Sequence, residues 1–272
     1  MTKAKYASIP YILWSVVFVL VPLGLVVVFA LTTADGDFTI HNITRVAEYT
    51  PVFVRSLWLS VVATAICLVV AYPLAFIMSR QGGITQRTMV MLMMLPMWIN
   101  FLLRTYAWMT LLENSGIINS LLEVFGIGPF TMINTQGAVV LGMVYNYLPF
   151  MVLPLYSIMT KIEGRVIEAA QDLGANGAQI FARVVLPMSI PGVTTGITMV
   201  FVPSISTFII SRMLGGGSNM MVGDLIDAQF LGNAYNPNLG AAISLVLMVF
   251  VLLIMSLLNM FDDAEGKEGL IL

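Results

Sequence analysis

The chain has 272 residues, of which 59% are hydrophobic and only 10% charged, with a mean hydropathy of +0.95, whereas soluble domains carry about 45–50% apolar and ~25% charged residues. This composition identifies an integral membrane protein. A formal net charge of -2 gives no basic excess to hold nucleic acid, and a single cysteine, Cys67, excludes an intrachain disulfide and a thiolate metal cluster.

Six stretches reach the ~20 mostly apolar residues that a helix needs to cross a bilayer: residues 9–31, 53–79, 89–112, 137–159, 192–210 and 239–260. The expected fold is all-α, one membrane domain of six transmembrane helices. The first stretch follows Lys3 and Lys5 like a secretory leader. Its apolar run exceeds the ~7–15 residues of a leader core and lacks a clear small-x-small cleavage site, so a retained anchor is expected. Pro73, Pro96, Pro149, Pro154 and Pro203 fall within spans, where each removes a backbone donor and can kink its helix. After the fifth span, glycines at 215–217 mark a loop, and residues 221–231 read as a short surface helix.

Basic residues fix the orientation, since short cytoplasmic loops carry the excess of Lys and Arg. Lys3, Lys5, Arg80, Arg87, Lys161, Arg165 and Arg183 fall on one side, against Arg45, Arg55 and Arg212 on or near the other. Both termini and the 161–187 loop are thereby expected in the cytoplasm.

That loop contains a polar island, EAAQDLGANGAQIFARVVLP, at 168–187. Val166, Ile167, Ala169, Ala170 and Leu173 give residues 165–173 an apolar helical face. Gly174 can take the left-handed conformation that ends a helix. Asn176 followed by Gln179 has the spacing of a capping box opening a second helix, which carries Ile180, Phe181, Val184 and Val185 and is expected to stop at Pro187. Glu168 is read near the start of the first helix, where a carboxylate suits the helix dipole, and the two alanines leave a low face for another protein. An amphipathic loop lying on the membrane surface would share part of this pattern.

In its Glu168, Ala169, Ala170, Gly174, Val184, Leu186 and Pro187, the island resembles the cytoplasmic coupling segment of ABC importer permeases. The resemblance implies a type I permease fold with a coupling helix between spans four and five. Glu168, Ala169, Ala170, Asp172, Gly174, Leu186 and Pro187 would then dock on an ABC ATPase dimer. The implied partners also include a second, homologous permease and an extracytoplasmic binding protein. The chain has no GxxxxGK[ST] phosphate loop, so ATP and Mg would be bound by the partner ATPase and this chain would carry no cofactor.

Further stretches resemble spermidine/putrescine permease subunits of the first type: LPMWIN at 95–100 with LRTYAW at 103–108, YLPFMVLPLY at 147–156, and Leu214-Gly215-Gly216 followed by Val222-Gly223 and Gln229-Phe230. A polycation can be met by carboxylates, carbonyls or aromatic faces, the last worth about 0.5–2 kcal/mol each. Trp98, Asn100, Tyr106, Trp108, Tyr145, Asn146, Tyr147 and Phe208 are the candidates to line its route. Tyr106 and Trp108 equally suit an interfacial aromatic belt, and Asn100 and Asn146 equally suit helix packing. No Asp or Glu sits within a span. Glu113, Asp224 and Asp227 lie at the outer mouth, either attracting cations or as solvated loop charge, and the second permease is a source of the missing acids. Arg104 lies inside the third span, where a charge needs a partner. Expected roles are gating or packing through carbonyls or a carboxylate such as Glu113, or snorkelling to the interface.

Other classes fit less well. An enzyme lacks support, because the one histidine, His41, falls in an outer loop and neither HExxH nor a nucleophile motif occurs. An ion-coupled secondary transporter would need intramembrane acids or histidines.

Overall fold

The computed structural model describes residues 9–232 and 234–268, with side chains at 10–232 and 234–258. Lys3 and Lys5 lie outside the described residues, as do the side chains of the acidic C-terminal tail. In chain order the helices are α1 (Pro10–Ala30), α2 (His41–Ser79) and α3 (Gly83–Trp98), then α4 (Phe101–Leu112), α5 (Ile117–Val124), α6 (Gln136–Met159) and α7 (Gly164–Asp172). There follow α8 (Gly177–Ile205), α9 (Ile209–Leu214), α10 (Val222–Phe230) and α11 (Pro237–Glu268). Five of these are long and apolar enough to cross a membrane, and the bent pair Gly83–Trp98 and Phe101–Val124 makes a sixth crossing if both limbs belong to one span.

The central core is made of three helices whose buried residues recur every fourth position. On α2 these are Leu59, Ala63, Cys67, Ala71 and Ala75; on α6, Met143, Tyr147, Met151, Leu155 and Met159. Residues four apart form a ridge along a helix. The small side chains of α2 leave a shallow surface for the long side chains of α6, as in small-xxx-small packing between membrane helices. Helix α8 presents Gly192, Gly196, Val200 and Ser204 at the same spacing, all buried. A Cβ on Gly196 would lie 2.6 Å from Met151 Sδ, so α6 rests directly on that glycine. Cys67 is one of the small residues of this ridge, not a reactive thiol. A second core joins Ala30 of α1, Val222 and Leu225 of α10 and Leu239, Ala242 and Ile243 of α11.

Two spans differ from their expected course. The continuous third span expected over 89–112 is interrupted: α3 ends in a 3-10 turn at Leu95–Trp98, Ile99 and Asn100 are non-helical, and α4 leaves at 86°. Pro96 lies in that turn, and Asn100 caps α4 by accepting a hydrogen bond from Leu102 N at 2.8 Å. The fifth span, expected over 192–210, begins earlier and stops at Ile205, with Ser206, Thr207 and Phe208 separating it from α9. Hydropathy measures transfer of side chains and is blind to such backbone breaks.

Candidate functional site

Helix α7 projects from the bundle at one end. Its termination is a Schellman motif, with Ala175 N bonded to Ala170 O at 3.0 Å and Gly174 N to Gln171 O at 2.8 Å, and Gly174 at φ +82°. The capping box at Asn176 and Gln179 is formed, with both hydrogen bonds at 2.9 Å.

Two expectations for this segment are corrected and one is refined. Its apolar residues lie within one arc of about 160° at ~100° per residue, but only one edge of that arc is buried. Ile167 and Ala170 pack on the cluster of Ile162, Ile180 and Val185, whereas Val166, Ala169 and Leu173 are exposed, Leu173 at 89%. Spaced i, i+3 and i+7, these three form an outward apolar stripe, and of the two alanines only Ala169 leaves that face low. Glu168 is the fifth residue of α7, beyond the first turn where the dipole acts; it and Asp172 are exposed beside the stripe. Finally, the second helix does not stop at Pro187. A π-helical turn at Phe181–Val185, in which Leu186 N bonds to Phe181 O, leads directly into the rest of α8. Leu186 and Pro187 are exposed on this continuous helix, where the wider turn accommodates the ring.

The two interrupted spans meet elsewhere in the bundle, where α4 packs on α9. Trp108 of α4 and Tyr145 of α6 make an edge-to-face pair with centroids 5.4 Å apart. Trp98 and Tyr106 are 72% and 56% exposed, and Phe208, in the fifth-span break, is 38% exposed. Asn100 is spent on its cap. Asn146 and Tyr147 do not face an open route in this chain. Asn146 is buried and donates to Gly142 O at 2.9 Å, and Tyr147 is buried with its hydroxyl 3.4 Å from Pro203 O. Arg104 does not meet Glu113. Glu113 lies just past the end of α4, where the backbone has turned extended at ψ 156°, and forms no ion pair with Arg104 among the described residues. The guanidinium lies over Phe101, 5.9 Å from the ring centre, and Nε and Nη1 are buried with no hydrogen-bond partner among the described residues.

The model of the binding-protein-dependent transport system inner membrane component family matches residues 6–265. The chain belongs to this family. It is similar to the spermidine/putrescine transport system permease protein PotB of Haemophilus influenzae, with 38% identity over 89% of this chain and 87% of that protein. PotB of Escherichia coli K12 is 35% identical over 87% and 89%. In fold it resembles a chain of a bacterial ABC transporter that imports the polysaccharide alginate, with a TM-score of 0.78 and 16% identity over 96% of this chain and 95% of that one. The protein is thus a permease subunit of an ABC importer, a multi-pass membrane protein with the fold of such permeases. A secondary transporter is excluded by that membership.

At the opposite end of the permease, Asp224 and Asp227 are not solvated loop charge, whereas Glu113 is exposed. Asp224 is 5% exposed; its Oδ2 accepts from Met221 N at 2.9 Å, closing the first turn of α10. Its Oδ1 lies 3.9 Å from Arg212 Nε, and Arg212 also pairs with the half-buried Asp227. This arrangement replaces the cation-attracting mouth expected from Glu113, Asp224 and Asp227: Arg212 neutralises part of the charge, and of the three only Glu113 is freely exposed. Sequence reasoning missed Arg212 because its partners are 12 and 15 residues away, on another helix.

Burial pushes the Asp224 carboxyl above the usual carboxylate range, and Asp227 adds to the rise; Ser211, the Met221 amide and Arg212 oppose it. A folded-state pKa above the unfolded one means that the ionised form costs stability, a cost relieved as pH falls through the raised value. Arg212→Ala removes one opposing charge. The expected loss is about 1–3 kcal/mol at neutral pH, discounted because Arg212 is half-exposed. The deficit in melting temperature of the detergent-solubilised permease should shrink on acidification and in the Arg212→Ala/Asp224→Asn double variant. A deficit independent of both would contradict this account.

Proposed function

We propose that this permease forms half of a transmembrane pore with a second, homologous permease, and that an ABC ATPase dimer drives it through the coupling segment 161–187. The carrying observation is the outward stripe Val166, Ala169 and Leu173, flanked by Glu168 and Asp172 and held at the Gly174 corner. An exposed apolar stripe beside charges suits another protein surface. ATP and Mg belong to that partner. Arg80, Arg87, Lys161, Arg165 and Arg183 support a cytoplasmic position for this end and for both termini, and an extracytoplasmic binding protein delivers solute at the other end.

The cargo we assign is a polyamine, supported by the likeness to PotB proteins. The corner at Ile99–Asn100 and the break at Ser206–Phe208 put non-helical backbone within apolar spans, which is tolerated where it is buried in protein or lines a cavity. Trp98, Tyr106, Trp108, Tyr145 and Phe208 then offer aromatic faces to ammonium groups, and the second permease supplies carboxylates. Reconstituted with its partners, the permease is expected to import radiolabelled spermidine only with ATP, uncompeted by amino acids or phosphonates. Absence of uptake for every polyamine would remove the cargo while leaving the permease.

A further inference from the structure

The coupling segment is gripped by a helix that is not covalently continuous with it. Tyr72 and Phe76 of α2, and Arg80 which caps its C-terminal end, succeed one another at four-residue spacing and therefore lie along one side. Each touches a different part of the segment or of its continuation in α8. Arg80 Nη1 donates to the carbonyl of Ile162 at 3.2 Å, just ahead of α7, while its guanidinium lies 5.4 Å from the centre of the Phe76 ring. Phe76 packs on the cluster of Ile162, Ile180 and Val185 that seats α7. Tyr72 meets the Phe181 ring nearly edge-on, centroids 5.3 Å apart, and its hydroxyl lies 2.7 Å from Ser189 Oγ. Because Ser189 directs its one hydroxyl proton to Leu186 O at 2.9 Å, Tyr72 is the donor to Ser189.

The points of contact coincide with places where the helices are easily bent. Phe181 opens the π-helical turn, and Pro73, next to Tyr72, lies inside α2; both features allow a helix to bend. A push on α7 passed only through α8 would be absorbed in part at that turn. Above Tyr72, by contrast, the Ala63, Cys67 and Ala71 ridge of α2 is buried against the central core, so movement given to α2 reaches the middle of the bundle.

We infer that Tyr72, Phe76 and Arg80 form a transmission rail, positioning residues through which displacement of the coupling segment is handed to α2 as well as along the chain to α6 and α8. The inference rests on the proposed coupling role of 161–187. It is tested in proteoliposomes holding the whole importer, by measuring spermidine uptake and ATP hydrolysis on the same preparation. Tyr72→Phe/Arg80→Gln should keep hydrolysis within about twofold of wild type while uptake falls about fivefold or more, the lower range of inter-site coupling, so that more ATP is consumed per solute. Arg80→Lys, which keeps a donor for the Ile162 carbonyl, should restore the wild-type ratio when Tyr72 is intact. A residue that only stabilised the fold would lower both rates together. An unchanged ratio in the double variant, with or without loss of both activities, overturns the rail. Gly174→Val, run alongside, separates the two ideas. If it leaves uptake intact, the coupling role itself fails; if it lowers uptake while the double variant keeps its ratio, only the rail fails.

Discussion

Replacing Gly174 by valine is expected to lower uptake by the assembled importer about tenfold or more, with little loss of permease from the membrane. The residue sits at φ +82° with nothing among the described residues within 4 Å of the point a Cβ would occupy, so a side chain meets no clash there and the effect is conformational. An L-residue in the left-handed region costs roughly 1–2 kcal/mol, and a β-branched one is a genuine outlier there. Every 1.4 kcal/mol is about a factor of ten in a population. The chain can escape the strain only by giving up the two hydrogen bonds that end α7, and that moves Leu173 and the outward stripe away from the proposed partner surface. Gly174→Asn, which tolerates the left-handed region, should keep most of the activity. Proteoliposome uptake normalised to permease content decides the matter. Wild-type uptake by the valine variant would sink the coupling role.

Local chemistry made the turn legible in the sequence, because glycine, asparagine and glutamine at 174, 176 and 179 act on backbone groups within three residues of themselves. The facing of α7 was not legible. Val166, Ile167, Ala169 and Ala170 are all apolar, and the choice of which pair turns inward is made by Ile162, Ile180 and Phe76, the last about 90 residues earlier in the chain. The same limit applies to the third span. Pro96 and Asn100 were visible, but a hydropathy window adds side-chain transfer free energies and contains no term for where the backbone hydrogen bonds go. The 86° corner is the result. Asp224 shows a third form of the limit, since its burial requires Ser211 and Arg212 of α9 to meet it beside the Met221 amide of its own helix. The four-residue ridges of α2, α6 and α8 are the opposite case: Ala63, Cys67, Ala71 and Ala75 recur in the sequence at a helical spacing, and that recurrence is enough to mark a face for close packing.

Gly223→Val should be the most damaging single change at the end of the permease opposite the coupling segment. A Cβ at this position would lie 2.4 Å from Ser206 O, 2.5 Å from Thr207 O and 2.8 Å from Thr207 C. All three are backbone atoms at the break in the fifth span, so no side-chain rotation can relieve the contact. Helix α10 must then withdraw from α8. Withdrawal would also strain Val222 N to Ser56 Oγ, a 2.8 Å bond to α2, and the Met221 to Asp224 cap. Overpacking of a filled site costs typically about 1–3 kcal/mol, and more where backbone must move; the broken cap and the exposed Asp224 charge add to it. The expected outcome is a lower melting temperature in detergent and reduced recovery of the assembled importer. Gly217→Ala, at the same end of the permease but with nothing within 4 Å of its Cβ position among the described residues, should leave both unchanged. Equal melting temperatures for the two variants would mean that α10 is free to move off the fifth-span break. The close approach at Gly223 would then not be what holds that break in place.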